Sequence, residues 1–321
     1  MGEQRLLVVG VGSELGSLAT ALLEQHERFA EVHGIDVHPP RRRLRRTTFH
    51  RVEHDEPGEF ARKIASLQPD VIVHLGVWEP HARLGTKEAR LATGNYAKAL
   101  CEAISALNCI TRLVIRSGLE VYGAQAGCVH DEHSPVTPTS TYGHMLASLE
   151  TMIAEAAPST ATTTVLRLAP VIGAHVPSPL GRLLRLPFVP VDPTSRAKFQ
   201  VVADDDAARA VTHAALSGRH EAVNIVADGP VNIASVMRQG RRLPVPVLPL
   251  TWSFASTLTT LAGAPLPDHV RELLQHGRLA KTLTHDLDYR PVHSTEHVVS
   301  HLYSWPSVVR ISPKQPRERV A

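Results

Sequence analysis

Apolar residues enter this chain in short unbroken runs, not in alternation with polar ones. Leu6, Leu7, Val8 and Val9 form the first run, and it stops at Gly10. A run without polar interruption suits a parallel strand covered on both faces. After Gly10, Gly12 and Gly16, residues Leu15, Leu18, Leu22 and Leu23 fall at helical spacing, so a helix starts near Glu14. The same texture predicts strands at 31–36, 47–53, 70–76, 112–118, 162–173 and 222–228. It predicts helices at 57–67, 86–107, 142–156 and 204–217. Strands that alternate with helices give a parallel sheet wrapped on both faces. The expected fold is therefore α/β: a Rossmann-type doubly wound parallel sheet with a smaller C-terminal substrate-binding lobe.

From Ala174 the pattern changes to proline-punctuated loop, with short helices at 232–240, 253–262 and 268–276. We expect a dinucleotide-binding domain over 1–173 and 200–228, a C-terminal lobe over 174–199 and 229–310, and a flexible tail at 311–321.

A strand, a glycine turn and a helix start make an anion site, because the first N–H groups of the helix face the turn. Asp36 closes the second strand twenty residues past Gly16, where a ribose hydroxyl would need an acceptor. Ligand contacts are then expected at the carboxyl ends of the strands: Gly10, Asp36, Glu53, Gly76, Gly118 and Pro170. The acid favours NAD over NADP, whose 2′-phosphate would face a second anion. After Asp36 come five arginines, Arg41, Arg42, Arg43, Arg45 and Arg46. A solvated loop is the plain reading, and a contact to adenosine is the sharper one.

Composition adds exclusions. Net charge is +3 with 20 % charged residues, which leaves no broad footprint for nucleic acid. Three cysteines suit neither a disulfide framework nor zinc, and point to reducing cytoplasm. No apolar run reaches the roughly 18 residues of a membrane span, and the opening residues carry no signal-peptide pattern. His293-Ser-Thr-Glu-His297 matches a zinc pattern on paper. Ser294 reads as an N-cap that leaves His293 outside the helix, so no metal site is expected.

Taken together, these motifs resemble the extended short-chain dehydrogenase/reductase family, of the NAD-dependent epimerase/dehydratase type, over about residues 5–305. Gly10, Ser13 and Gly16 are similar to its GxxGxxG turn. His74-Leu-Gly-Val77, Asn95, Ser117-Gly-Leu-Glu-Val-Tyr-Gly123, Glu132, Pro138, Tyr142-Gly143, Arg167, Gly173, Asp205, Asp206 and Asp288-Tyr-Arg-Pro291 follow in the family's order. The resemblance implies a cofactor lying against Gly10, Gly12, Ser13, Leu15, Gly16, Asp36, Glu53, His54, Leu75, Gly76, Val77, Ser117, Tyr142 and Pro170. It implies a small-molecule substrate such as a nucleotide sugar, and a homodimer through helices 86–107 and 142–156.

The chain also departs from that family. Tyr142 is present, but the lysine expected four residues on is Leu146, and the active-site Ser/Thr is Gly118. Deprotonating an ordinary tyrosine at neutral pH costs roughly 4 kcal/mol, about a thousandfold in rate. Glu120, Ser117 or His144 could stand in for the missing groups. His130 and His133, beside Glu132, are candidates for the pocket rim. Arg182 and Arg185 could grip the diphosphate of a substrate. The alternatives to an oxidoreductase are a catalytically weak NAD-binding sensor or scaffold, and a fold reused for a non-redox reaction.

Overall fold

The computed structural model describes residues 4–53, 56–81, 84–217, 221–248, 251–283 and 289–305. At its centre stand seven parallel strands. They are β1 (Gln4–Val9), β2 (Phe29–Asp36), β3 (Thr47–Arg51), β4 (Val71–His74), β5 (Arg112–Gly118), β6 (Thr162–Leu168) and β7 (Glu221–Ile225), in the spatial order 7-6-5-4-1-2-3. The winding reverses between β1 and β4, and a crevice opens there at the carboxyl ends. Leu6, Leu7, Val8 and Val9 are wholly buried, each worth about 1.5–3 kcal/mol against exposure.

Six helices belong to the first two-thirds of the chain: α1 (Glu14–Leu23), α2 (Pro57–Leu67), α3 (Thr86–Ser105), α4 (Thr141–Ala156), α5 (Pro179–Leu184) and α6 (Asp204–Ser217). α1 packs on α6, while α3 packs on both α2 and α4. Local chemistry sets the helix starts. Ser13 caps α1 by accepting the Gly16 N–H at 2.9 Å, and Ser140 caps α4 by accepting the Gly143 N–H at 3.1 Å. α2 opens on Pro57, whose missing N–H costs nothing in a first turn.

The last expected sheet segment before the lobe, 162–173, is not one strand. β6 ends at Leu168, and Val171–Ile172 pairs instead with Val202–Ala203. Pro170 lies between and has no N–H to donate to a ladder; its carbonyl accepts from Val202.

A second apolar cluster fills the C-terminal lobe. It gathers Leu183, Val236, Trp252, Leu273 and Val299 from α5, α7 (Ile233–Gly240), α8 (Trp252–Leu261), α9 (Asp268–His276) and α10 (Thr295–Ser304), with Val189 from the strand Phe188–Val191. The expected tail at 311–321 lies outside the described residues.

Two glycines give opposite expectations. Gly10 has φ +90°, and a Cβ there would stand 2.6 Å from the Gly76 nitrogen, whereas Gly94 in α3 has open space around it. Gly10→Ala should cost at least about 2 kcal/mol in urea unfolding. Gly94→Ala should gain about 0.5–1 kcal/mol in the same assay.

Candidate functional site

The glycine turn is built by close approach. Gly10 lies under the Leu75–Gly76 backbone, and a Cβ on Gly16 would strike the Gly10 carbonyl. Ser13 spends its side chain and carbonyl on Gly16 and Ser17. That leaves the N–H groups of Glu14 and Leu15 without an acceptor inside the helix. They face the turn at the positive end of the α1 dipole, as a diphosphate requires.

Asp36 Oδ2 accepts the Gly12 N–H at 2.9 Å, and Oδ1 accepts the His38 N–H at 3.0 Å. Burial raises the Asp36 pKa against the pull of those bonds. The arginine loop is only partly the solvated segment its charge suggests. Arg41 reaches back to the Gly12 carbonyl and to Ser17, and Arg42 pairs with Glu14 at 2.8 Å. Arg46 holds the carbonyls of Glu24 and Phe29. The side chain of Asp36 is 4 % exposed, so residues 37–42 must give way before a ribose can reach it.

On the other side, Leu75, Gly76 and Val77 are buried, and the Tyr96 ring occupies the space above Gly76. The Tyr96 ring lies tilted against Phe60 and edge-on to Trp78, and feels the Asp36 charge. Its period in α3 reads as core only; the structure makes it a wall of the crevice. Glycines that a Cβ would obstruct, free first-turn N–H groups and an acid at the β2 tip together fit a dinucleotide.

Across β4 stands Tyr142, 6 % exposed, in the first turn of α4. Gly143 lets this turn press on the 3-10 segment Leu119–Tyr122, since a Cβ there would come 2.5 Å from the Glu120 carbonyl. Glu120 Oε2 stands where a Cβ on Gly118 would be, and the Leu146 methyl stands 3.0 Å from the same point. A carboxylate thus stands where the resemblance expects a Ser/Thr side chain, and a packed methyl stands where it expects a lysine.

Glu120 Oε1 accepts from Arg278 at 2.9 Å, with both side chains buried. The Arg278 Nε donates to the Gly123 carbonyl. The His269 ring lies 4.7 Å from the Tyr142 ring, with Nε2 at 3.1 Å from Glu79. Its Nδ1 faces Asp268 at 3.7 Å, an ion pair rather than a hydrogen bond. Asp268 in turn accepts the Thr141 N–H. Arg116 donates to the Val77 carbonyl at 3.2 Å.

Burial drives the Tyr142 pKa up; Arg116 pulls it down, and Glu79 and Glu120 push it further up. The phenol is therefore protonated at neutral pH. Burial alone would lower the His269 pKa, but Asp268, Glu79 and Glu120 outweigh it and raise it to about 9. Burial, then Arg116, lowers His74 to about 4, so that imidazole is neutral.

The remaining sequence candidates scatter. Ser117 turns its hydroxyl to Glu150, which Arg167 holds with two hydrogen bonds. That network continues through Tyr122 to Asn224 and serves the sheet rather than Tyr142. His144 is exposed and lines a groove between α3 and α4, away from the phenol. Arg185 faces α10, against the Leu302 carbonyl and the Trp305 ring, instead of the crevice. Arg182 is half-buried on α5, and Pro170 is half-buried at the β6 tip. Glu53 is exposed beside Arg51 at 3.2 Å, and His54 lies outside the described residues. His130 stacks on Tyr122, Glu132 accepts the N–H groups of Asn224 and Leu283, and His133 is exposed. Thr93 ties α3 to the segment after β4 by accepting the Trp78 N–H.

At the other motif, Ser294 does cap α10 through the His297 N–H. His293 and Asp205 gather at Asp206, a carboxylate already accepting from Tyr289, Val292 and His293. Arg116, Glu79, His269 and Arg278 carry no motif in the sequence; only strand alternation, which puts Arg116 on the face of Gly118, could have found the first.

Comparison with known proteins agrees with this fold. The model of the NAD dependent epimerase/dehydratase family matches residues 6–225. An uncharacterized protein of Mycobacterium tuberculosis is 28 % identical over 314 residues, covering 90 % of this chain and 81 % of the relative. Among solved structures, a UDP-glucose 4-epimerase from Thermotoga maritima, with UDP-glucose, superposes with TM-score 0.71 at 16 % identity over 94 % of this chain and 98 % of that one. A UDP-glucuronic acid 4-epimerase from Bacillus cereus, in complex with NAD, gives 0.70 at 16 % identity over 94 % and 98 %. A dTDP-glucose 4,6-dehydratase from Bacillus anthracis, in complex with NAD, gives 0.65 at 16 % identity over 94 % and 96 %.

The pKa of His269 sets a pH dependence. Because it is raised on folding, its stabilising contribution is complete below about 6.5 and is lost as pH rises through about 9. The loss should approach roughly 3 kcal/mol as a ceiling. Urea unfolding at pH 6, 8 and 10 should show this fall, and His269→Gln should flatten it.

Proposed function

We propose a function for a chain that belongs to the NAD dependent epimerase/dehydratase family: it binds NAD and acts as an atypical oxidoreductase of that type on a nucleotide sugar or a similar small molecule. The observation that carries this reading is the pairing of two sites across β4. One is the glycine turn with Asp36, and the other is a buried phenol on α4.

In this reading the N–H groups of Glu14 and Leu15 hold the diphosphate, and Asp36 takes the adenosine ribose. Leu75, Gly76, Val77, Pro170 and Tyr142 would hold the second nucleoside. Bound there, NAD supplies a reversible hydride acceptor. Tyr142 donates a hydrogen bond to a substrate oxygen, and Glu120 is the carboxylate beside it that can share a proton. The nucleotide-sugar class is supported by the neighbours described with UDP-glucose, UDP-glucuronic acid and NAD. A homodimer through α3 and α4 belongs to the same reading, with the groove lined by Thr93, His144 and Met145 at its contact. The unpaired cysteines Cys101, Cys109 and Cys128 suit the cytoplasm.

One observation favours a second reading. Burial keeps the Tyr142 phenol protonated, and Leu146 offers no charge to change that. A protein so equipped could hold NAD as a sensor or scaffold with little turnover.

Calorimetry with NAD and NADP, followed by absorbance at the NADH band with a panel of UDP-sugars, tests both. We expect NAD to bind at least tenfold tighter than NADP, and Asp36→Asn to narrow that gap. NADH formation abolished by Tyr142→Phe supports the oxidoreductase. Tight NAD with no NADH from any sugar supports the sensor. No binding of either dinucleotide refutes both readings.

A further inference from the structure

Three histidines stand in a column at the start of α10. His293, His297 and His301 are spaced four residues apart, so that each overlies the next. The His293 and His297 rings stack with centroids 5.0 Å apart, and those of His297 and His301 lie 4.4 Å apart. On spacing alone His293 precedes the Ser294 cap and leaves the helix. The structure nevertheless places its ring over the first turn, against His297. His297 and His301 are exposed, and among the described residues neither imidazole has a hydrogen bond or an ion pair.

His293 is held differently. Its Nδ1 lies 2.9 Å from Asp206 Oδ2. A carboxylate only accepts, so Nδ1 carries the proton and Nε2 is the nitrogen left open to a ligand. Asp206 is wholly buried and accepts from the Tyr289 hydroxyl at 2.8 Å and from the Val292 and His293 N–H groups at 3.0 Å each. Burial would raise its pKa, but these bonds outweigh burial and hold it below the usual carboxylate range. Asp205 Oδ1 stands 3.8 Å from the same Nδ1. An imidazole with one nitrogen tied to a fixed carboxylate and the other open is oriented as metal-binding histidines are. The two aspartates also offset the positive ends of the α6 and α10 dipoles, which would otherwise repel a cation.

We propose that His293 Nε2 and His297 bind one transition-metal dication of the zinc, nickel or copper class, with Asp206 orienting His293 from behind. Imidazole is a ligand those ions favour, whereas magnesium and calcium prefer oxygen. Two rings already in stacking contact need only side-chain rotation to bring a nitrogen of each to about 2.0–2.1 Å from a shared ion. Water completes the coordination on the exposed side. His301 touches His297 alone and has no carboxylate behind it, so it stands outside the pair. The bound ion would fasten α10 of the lobe to the first turn of α6, which packs on α1 in the sheet domain. An ion held only by the folded chain stabilises it. The inference is independent of the NAD reading.

The test needs no turnover. Full-length protein freed of metal by a chelator is titrated with nickel chloride and with zinc chloride in calorimetry, and its melting is followed by circular dichroism. We expect a single ion per chain in the micromolar range and a rise in Tm, with neither effect from magnesium chloride. His297→Gln and His293→Asn should each weaken nickel at least tenfold and remove the rise in Tm. His297 is exposed, so its variant keeps the fold, and asparagine at 293 keeps a donor for Asp206 while removing the second nitrogen. His301→Gln should stay within about threefold of wild type. Wild type that binds only at millimolar metal would overturn the proposal. Equal affinity in wild type, His297→Gln and His293→Asn would overturn it too, since the ion would then sit elsewhere among the 19 histidines of the chain. So would a loss in His301→Gln with none in His293→Asn, which would put the ion on the helix pair without Asp206.

Discussion

A carboxylate stands where a side chain on Gly118 would have to go, and the second half of the site is arranged around that exclusion. Glu120 cannot sit there as a lone buried charge, because an unpaired carboxylate out of water costs several kcal/mol. Arg278 meets it from beyond α9, 158 residues further along the chain. The pair therefore requires the C-terminal lobe to be docked, and the lobe brings His269 and Asp268 with it. Those two close on Glu79 after β4 and on the start of α4. Tyr142 lies between them, dry and protonated.

The two halves of the crevice are consequently unlike in chemistry. Around Gly10 the work is done by backbone: close approach, free N–H groups and the α1 dipole. Around Tyr142 it is done by compensating side-chain charges drawn from β5, the segment after β4, the 3-10 turn and the lobe. The first arrangement tolerates change in most side chains provided the glycines stay. The second is coupled, so that losing one partner strands another inside the protein. His269 and Asp268 tie this coupling to solution pH.

Much of the first half was legible in the sequence. Unbroken apolar runs with helical segments between them specify a parallel sheet, and Gly10, Gly16 and Asp36 fall at spacings only a turn and a strand end explain. Pro170 limited the reading of the sixth strand, since an apolar run does not reveal where a ladder lacks a donor. The second half was legible in its absences but not in its replacements. Leu146 and Gly118 stand where the resemblance expects a lysine and a Ser/Thr. That Glu120 fills the space of one, held there by Arg278, depends on a contact between residues far apart in the chain. Ser117 was misplaced for a simpler reason: neighbours on a strand face opposite ways, so Ser117 and Gly118 cannot both face the phenol. His144 is two residues from Tyr142 on a helix, which turns it to another side.

A crystal structure grown with NAD tests the account most directly. The account predicts the diphosphate on the N–H groups of Glu14 and Leu15, the adenosine ribose on Asp36 with residues 37–42 displaced, and the second ribose within hydrogen-bonding distance of Tyr142. A crevice still filled by Tyr96 and the arginine loop, with no dinucleotide against the glycine turn at saturating NAD, would contradict it.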